Sequence, residues 1–113
     1  MTPVIDQNVY DNLKQQVGAD FIGELVNTFL EDGPRMLEEL RTSLAAKDSE
    51  TFTRAAHSMK SNAATFGATD VAELAKALEM LGRIKNLGEV GNLLEVLNEA
   101  YEHAAAALKG MLP

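Results

Sequence analysis

His57, one of two histidines in the chain, has a cation about one helical turn away on either side. Arg54 stands three residues before it and Lys60 three residues after it, which is the spacing of neighbours on one face of a helix. An imidazole can serve as a nucleophile, a metal ligand, an acid or a base. Because two cations would stabilise negative charge beside the ring, this grouping predicts a site that holds an anion at His57.

The residues around His57 predict a helix that turns the imidazole toward solvent. Asp48 and Ser49 are good N-cap residues for a helix over about Glu50 to Phe66, and Gly67 suits its C-terminal stop. At about 100° per residue, one arc of this helix collects the apolar residues, and His57 lies near the opposite side. The arc contains Phe52, Ala55, Ala56, Met59, Ala63 and Phe66.

Small residues follow His57 on its own face, so nothing bulky is expected to shield the ring. Ser61 and Ala64 stand four and seven residues after it. A partner molecule could therefore reach the imidazole, and the Ser61 hydroxyl could bond to a bound anion or to a carbonyl one turn back.

The rest of the chain predicts an all-α fold, an antiparallel up-down-up-down four-helix bundle with a short N-terminal capping helix. A length of 113 residues indicates one domain, over 1–113. Apolar residues recur at steps of three and four, as bundle packing requires. Gly33-Pro34 predicts a kink or break in the second helix, and Asp70 with Glu73 a capping box for the fourth. The predicted helices cover about Asp6 to Gln16, Asp20 to Ala46, Glu50 to Phe66 and Glu89 to Met111, with the fourth helix of the chain beginning near Asp70.

Composition excludes several classes of function. The chain has no cysteine and a formal charge of −7, which excludes thiolate chemistry and argues against nucleic acid as a partner. No apolar run approaches the roughly 20 residues of a membrane span, and the N-terminal residues do not look like a secretory signal. A cytoplasmic protein that binds neither nucleic acid nor membrane is expected.

The stretch "AHSMKSNAATFGA" resembles the signature of the histidine phosphotransfer (HPt) domain family. The matching residues are His57, Met59, Lys60, Ser61, the small residues 62–64 and the Gly67-Ala68 pair, although many family members have Gly where Ser61 stands. The resemblance implies a phosphorelay protein of bacterial type. His57 would accept a phosphoryl group on Nε2 from a receiver-domain phosphoaspartate and pass it to another receiver, with Lys60, Ser61, Arg54, Ala64 and Gly67 in support. It also implies no cofactor and no metal, with Mg²⁺ on the receiver alone.

A histidine on a helical bundle has three other interpretations. A di-iron bundle needs Glu three residues before each His, whereas Arg54 precedes His57 and Ala100 precedes His103. A sensor kinase would need a Gly-rich ATP-binding segment, which is lacking, so no kinase activity is expected.

The third interpretation, a helical adaptor that binds receivers or other partners without accepting phosphate, stays open as the alternative function. In either case an apolar face at Phe21, Ile22 and Leu25 could take part in docking, and a monomer is expected because one bundle buries its own apolar stripes.

Overall fold

Five α-helices carry the chain through residues 4–112, the part that the computed structural model describes. Each of the four long helices packs against the next, and α5 returns against α2, so the predicted all-α four-helix bundle is confirmed. No strand occurs among these residues. The outermost positions of the predicted domain, 1–3 and 113, lie outside the described residues. The helices are α1 (Gln7–Val17), α2 (Ala19–Ala45), α3 (Ser49–Phe66), α4 (Thr69–Arg83) and α5 (Leu93–Met111).

Helix α3, which carries His57, has the two caps that the sequence predicts. The Asp48 carboxylate accepts a hydrogen bond from the backbone N–H of Thr51, and Gly67 ends the helix in the left-handed conformation at φ 78°. A Cβ at Gly67 would lie 2.8 Å from the carbonyl oxygen of Asp6. Only glycine therefore fits both the backbone angle and the close approach of the segment that begins α1.

The short helix α1 covers the end of the bundle at which α2 begins and α3 ends. It packs against both of these helices, and the backbone N–H of Asp6 donates to the carbonyl of Gly67 over 2.8 Å. The Asp6 side chain caps α1 itself by accepting from two backbone N–H groups.

Helix α2 runs unbroken through Gly33-Pro34, so of the kink or break that the sequence predicts, the break is wrong. Proline supplies no N–H for the carbonyl four residues back, that of Leu30. The buried Tyr101 hydroxyl donates to the carbonyl oxygen of Phe29 over 3.0 Å and lies 3.4 Å from that of Leu30, and so replaces the missing donor in part. Gly33 makes room for it, since a Cβ there would overlap the Tyr101 ring.

The boundaries around α4 and α5 differ from the prediction. Helix α4 begins after Ala68 without a side-chain cap, so the capping box at Asp70 and Glu73 is wrong. Helix α5 begins at Leu93 instead of Glu89, because a short 3₁₀ turn over Leu87–Glu89 comes first.

Helices α3 and α4 lie close together because small residues line their contact. Gly82 is buried, and a Cβ there would overlap the Thr53 hydroxyl across the interface. Ala56, Ala63 and Ala75 are also buried. This close approach brings side chains of α4 within reach of His57.

No helix in residues 4–112 combines the length and the apolar character that crossing a membrane requires.

Candidate functional site

His57 stands near the middle of α3 with its ring half in solvent. Its side chain is 53% exposed, as the helical pattern predicted, and Nδ1 lies 2.8 Å from Oε2 of Glu79 on α4. One edge of the imidazole is thus fixed by a neighbouring helix. The Nε2 atom has no hydrogen-bond partner among the described residues.

Glu79 is the centre of the site, with a side chain only 3% exposed. Its Oε1 lies 2.6 Å from Nζ of Lys60, and its Oε2 accepts from Nη2 and Nε of Arg83 at 2.6 and 3.2 Å. Burial raises the pKa of this carboxyl, but hydrogen bonds from its three partners lower it by more, from 4.5 to about 2. Glu79 is therefore a carboxylate at neutral pH.

The charge state of Glu79 decides which nitrogen of His57 carries the proton. A carboxylate can only accept hydrogen bonds, so Nδ1 must be the donor in this contact. In the neutral ring the other nitrogen then keeps its lone pair. His57 is accordingly held as the Nδ1–H tautomer, with a free lone pair on Nε2 at the exposed edge of the ring.

Of the predicted supporting residues, the structure brings Lys60 alone into contact with this cluster, through Glu79. Arg54 is exposed and forms no ion pair within residues 4–112, and the Ser61 hydroxyl likewise makes no hydrogen bond there. Ala64 is exposed two turns from His57. Gly67 lies ten residues on, about 15 Å along the helix, so its part is to cap α3 and to seat α1.

The predicted docking residues do not lie beside His57. Ile22 is fully buried and Leu25 half-buried, so a docking role for Ile22 is wrong in this conformation. Phe21 is 48% exposed but distant. The ring of Phe29 packs against that of Phe66, and Met36 contacts Asn62. Positions therefore rise along α2 as they fall along α3, and the α2 residues level with His57 are those near position 40. Phe21 precedes that level by about 19 residues, or roughly 28 Å along the bundle.

Sequence reasoning missed Glu79 and Arg83. A usable signal was present, because Glu79 falls on the small-residue face of α4 between Ala75 and Gly82, where an acid is rarely buried without a partner. Among residues 4–112, no group of three or more His, Asp or Glu side chains is placed to hold a metal ion.

Comparisons with known proteins identify the family to which the chain is similar. A family model described as the Hpt domain matches residues 24–107. The phosphorelay protein LuxU of Vibrio harveyi is 26% identical over 107 residues, which cover 88% of this chain and 94% of that protein. The crystal structure of histidine-containing phosphotransfer protein B (HptB) from Pseudomonas aeruginosa PAO1 is similar with a TM-score of 0.91 and 26% identity. That likeness covers 97% of this chain and 95% of the other.

Proposed function

The chain belongs to the Hpt domain family and serves histidine phosphotransfer in a phosphorelay, and from this premise we propose that His57 is its phosphoacceptor. The observation that carries the proposal is the contact between Nδ1 of His57 and the Glu79 carboxylate. It leaves Nε2 as the nucleophile, at the one edge of the ring that a partner can approach.

The transfer step follows from this tautomer. The Nε2 lone pair attacks the phosphorus of an aspartyl phosphate on a receiver domain, and the bond from phosphorus to the aspartate oxygen breaks. The aspartate leaves as a carboxylate, and Nδ1 keeps its proton. Because the ring then becomes positively charged, Glu79 at 2.8 Å stabilises the charge that develops during attack. The same cationic ring is a good leaving group, so transfer to a second receiver is the reverse reaction.

Lys60 and Arg83 supply the cations that phosphoryl transfer needs. Both lie against Glu79 before transfer, and their side chains are 31% and 62% exposed. Because both side chains are partly exposed, each can turn from Glu79 toward an incoming phosphoryl group. We therefore assign to Lys60 and Arg83 the charge neutralisation that had been assigned to Lys60 and Arg54.

Hpt proteins of phosphorelays interact with receiver domains, and we propose that this chain does so as a cytoplasmic monomer without binding nucleic acid. The net charge of −7 supports the last point. The proposal needs no cofactor on this chain, since Lys60 and Arg83 provide positive charge and the Mg²⁺ belongs to the receiver.

The test is transfer of label from a panel of ³²P-phosphorylated receiver domains to the wild-type chain. His57→Gln is the test variant and His103→Gln its matched control, since His103 is exposed on α5. We expect a label that survives alkali and is lost in acid, present on wild type and His103→Gln and absent from His57→Gln. Label that remains on His57→Gln would move the site elsewhere. Binding of a receiver without any transfer would favour the adaptor alternative.

A further inference from the structure

Two large apolar side chains lie exposed beside the His57 site and take no part in it. Met80 on α4 is 58% exposed, and Ile84, the C-cap residue of the same helix, is 68% exposed. They stand four residues apart, so they are neighbours on one face of the helix. Burial of such residues against a partner would be favourable, because it removes apolar surface from water.

A protein interface of ordinary size centred on His57 would cover Met80 and Ile84. A partner that presents a group to Nε2 of His57 covers a patch centred there, of about 800 Å² or a radius of ~16 Å. Met80 directly follows Glu79, whose carboxylate is bonded to His57, and Ile84 lies one turn farther on. Along the helix axis Met80 lies about 1.5 Å and Ile84 about 7.5 Å beyond Glu79, so by this spacing both fall within that radius.

The other exposed apolar residues lie farther from His57. Phe21 is roughly 28 Å away along the bundle, by the helical rise of 1.5 Å per residue. Val9 contacts Gly67, at about 15 Å along α3, which is the rim of the patch. Val4 and Val96 line the groove between α4 and α5, on another flank of α4. The large apolar side chains exposed within residues 4–112 are Val4, Val9, Phe21, Met80, Ile84 and Val96.

The charge around Met80 and Ile84 selects the kind of partner. Arg83 lies between them in sequence and Lys76 stands one turn before Met80, while Lys60 on α3 shares the Glu79 carboxylate with Arg83. Three cations therefore stand against the single carboxylate of Glu79. This positive strip belongs to a chain whose net charge is −7. A partner that brings a phosphorylated aspartate carries negative charge to the same point, and opposite charges would steer the two surfaces together.

We propose that Met80 and Ile84, flanked by these cations, form the apolar anchor on which a phosphorylated receiver domain docks. The surface therefore includes α4 and does not require the face at Phe21. This inference rests on the proposed function of His57 and adds where the partner's apolar contact falls.

The experiment compares two phosphoryl donors on the full chain. One is a ³²P-labelled receiver domain chosen as the fastest donor to wild type, and the other is phosphoramidate, a small donor that needs no docking surface. The variant Met80→Gln/Ile84→Gln removes the apolar anchor, and Val96→Thr is the matched control on the distant groove. Phe21→Gln tests the competing surface.

We expect the double variant to raise the half-saturating receiver concentration at least tenfold while phosphoramidate labels His57 within twofold of wild type. Val96→Thr and Phe21→Gln should stay within twofold with both donors. An unchanged receiver dependence in the double variant, or a larger loss in Phe21→Gln, would overturn the proposal. A wild-type dimer that becomes a monomer in the double variant would also overturn it, since Met80 and Ile84 would then join two copies of this chain. If neither donor labels wild type at His57, the proposed function itself fails.

Discussion

The substitution Glu79→Gln removes the charge at the centre of the site while keeping its shape. In the wild type a carboxylate accepts from Nδ1 of His57 over 2.8 Å and so fixes the Nδ1–H tautomer. An amide can rotate to present either its oxygen or its NH₂ group to the ring. The variant therefore loses both the tautomer preference and the negative charge that stabilises a phosphorylated ring.

The size of the effect follows from the strength of the lost contact. A hydrogen bond to a charged group contributes about 1.5–3 kcal/mol, and the lower end applies because the His57 side chain is 53% exposed. Since ~1.4 kcal/mol is a factor of ten, the ratio of the two tautomers should change by about tenfold. We expect phosphoryl uptake by His57 to slow by about the same factor.

Two measurements check this expectation on the same samples. Nitrogen-15 NMR of the imidazole reports which nitrogen carries the proton, and labelling by phosphoramidate reports nucleophilicity without any docking partner. Glu73→Gln is the matched control, because it makes the same charge change at an exposed position of α4.

The reasoning would be refuted by a wild-type His57 that carries its proton on Nε2. It would also be refuted by a Glu79→Gln variant with wild-type tautomer and wild-type labelling rate. The Glu79→Gln variant should still show a cooperative urea unfolding transition, because burying an amide costs less desolvation free energy than burying a carboxylate.

Two further predictions concern stability. Tyr101→Phe should lower the free energy of unfolding by about 1–2 kcal/mol, measured by urea denaturation. It removes a buried hydroxyl that donates to the Phe29 carbonyl and, over a longer distance, to the Leu30 carbonyl that lacks its helical donor. Acidification should weaken the wild type through Glu79. Because the pKa of this carboxyl is lowered from 4.5 to about 2, its stabilising contribution is fully present above pH 4.5 and is lost as the pH falls through 2. Because solvent screens the contacts of Glu79 with its partly exposed partners, the loss of unfolding free energy should be ~1–2 kcal/mol. It is measured as the difference in unfolding free energy between wild type and E79Q at each pH.

Each of these has its own control. The Tyr10 hydroxyl is buried without a hydrogen-bond partner in the described part of the chain, so Tyr10→Phe should be neutral or stabilising. Equal losses in the two tyrosine variants would contradict the part given to Tyr101. For the acid effect, a stability difference between wild type and E79Q that stays constant from pH 7 to pH 2 would contradict the role of Glu79.

Local signals predicted α3 well and α4 poorly. Asp48 and Gly67 act through their own backbone neighbours, so the ends of α3 could be predicted from a few adjacent residues. Asp70 and Glu73 have capping-box spacing, yet α4 begins after Ala68, which is fully buried, and packing decided its start. Pro34 predicted a kink or break, and the break is absent where the Tyr101 hydroxyl, far away in the sequence, reaches the carbonyls of this turn.

The sequence by itself determined the helical fold, the exposure of His57 and the proximity of Lys60. These depend on residues three or four positions apart on one helix, where spacing alone fixes which side chains are neighbours. The tertiary structure decided the chemistry of the ring. Glu79 and Arg83 come from another helix, and only the close approach of α3 and α4 at Gly82 sets a buried carboxylate against Nδ1 and leaves Nε2 free.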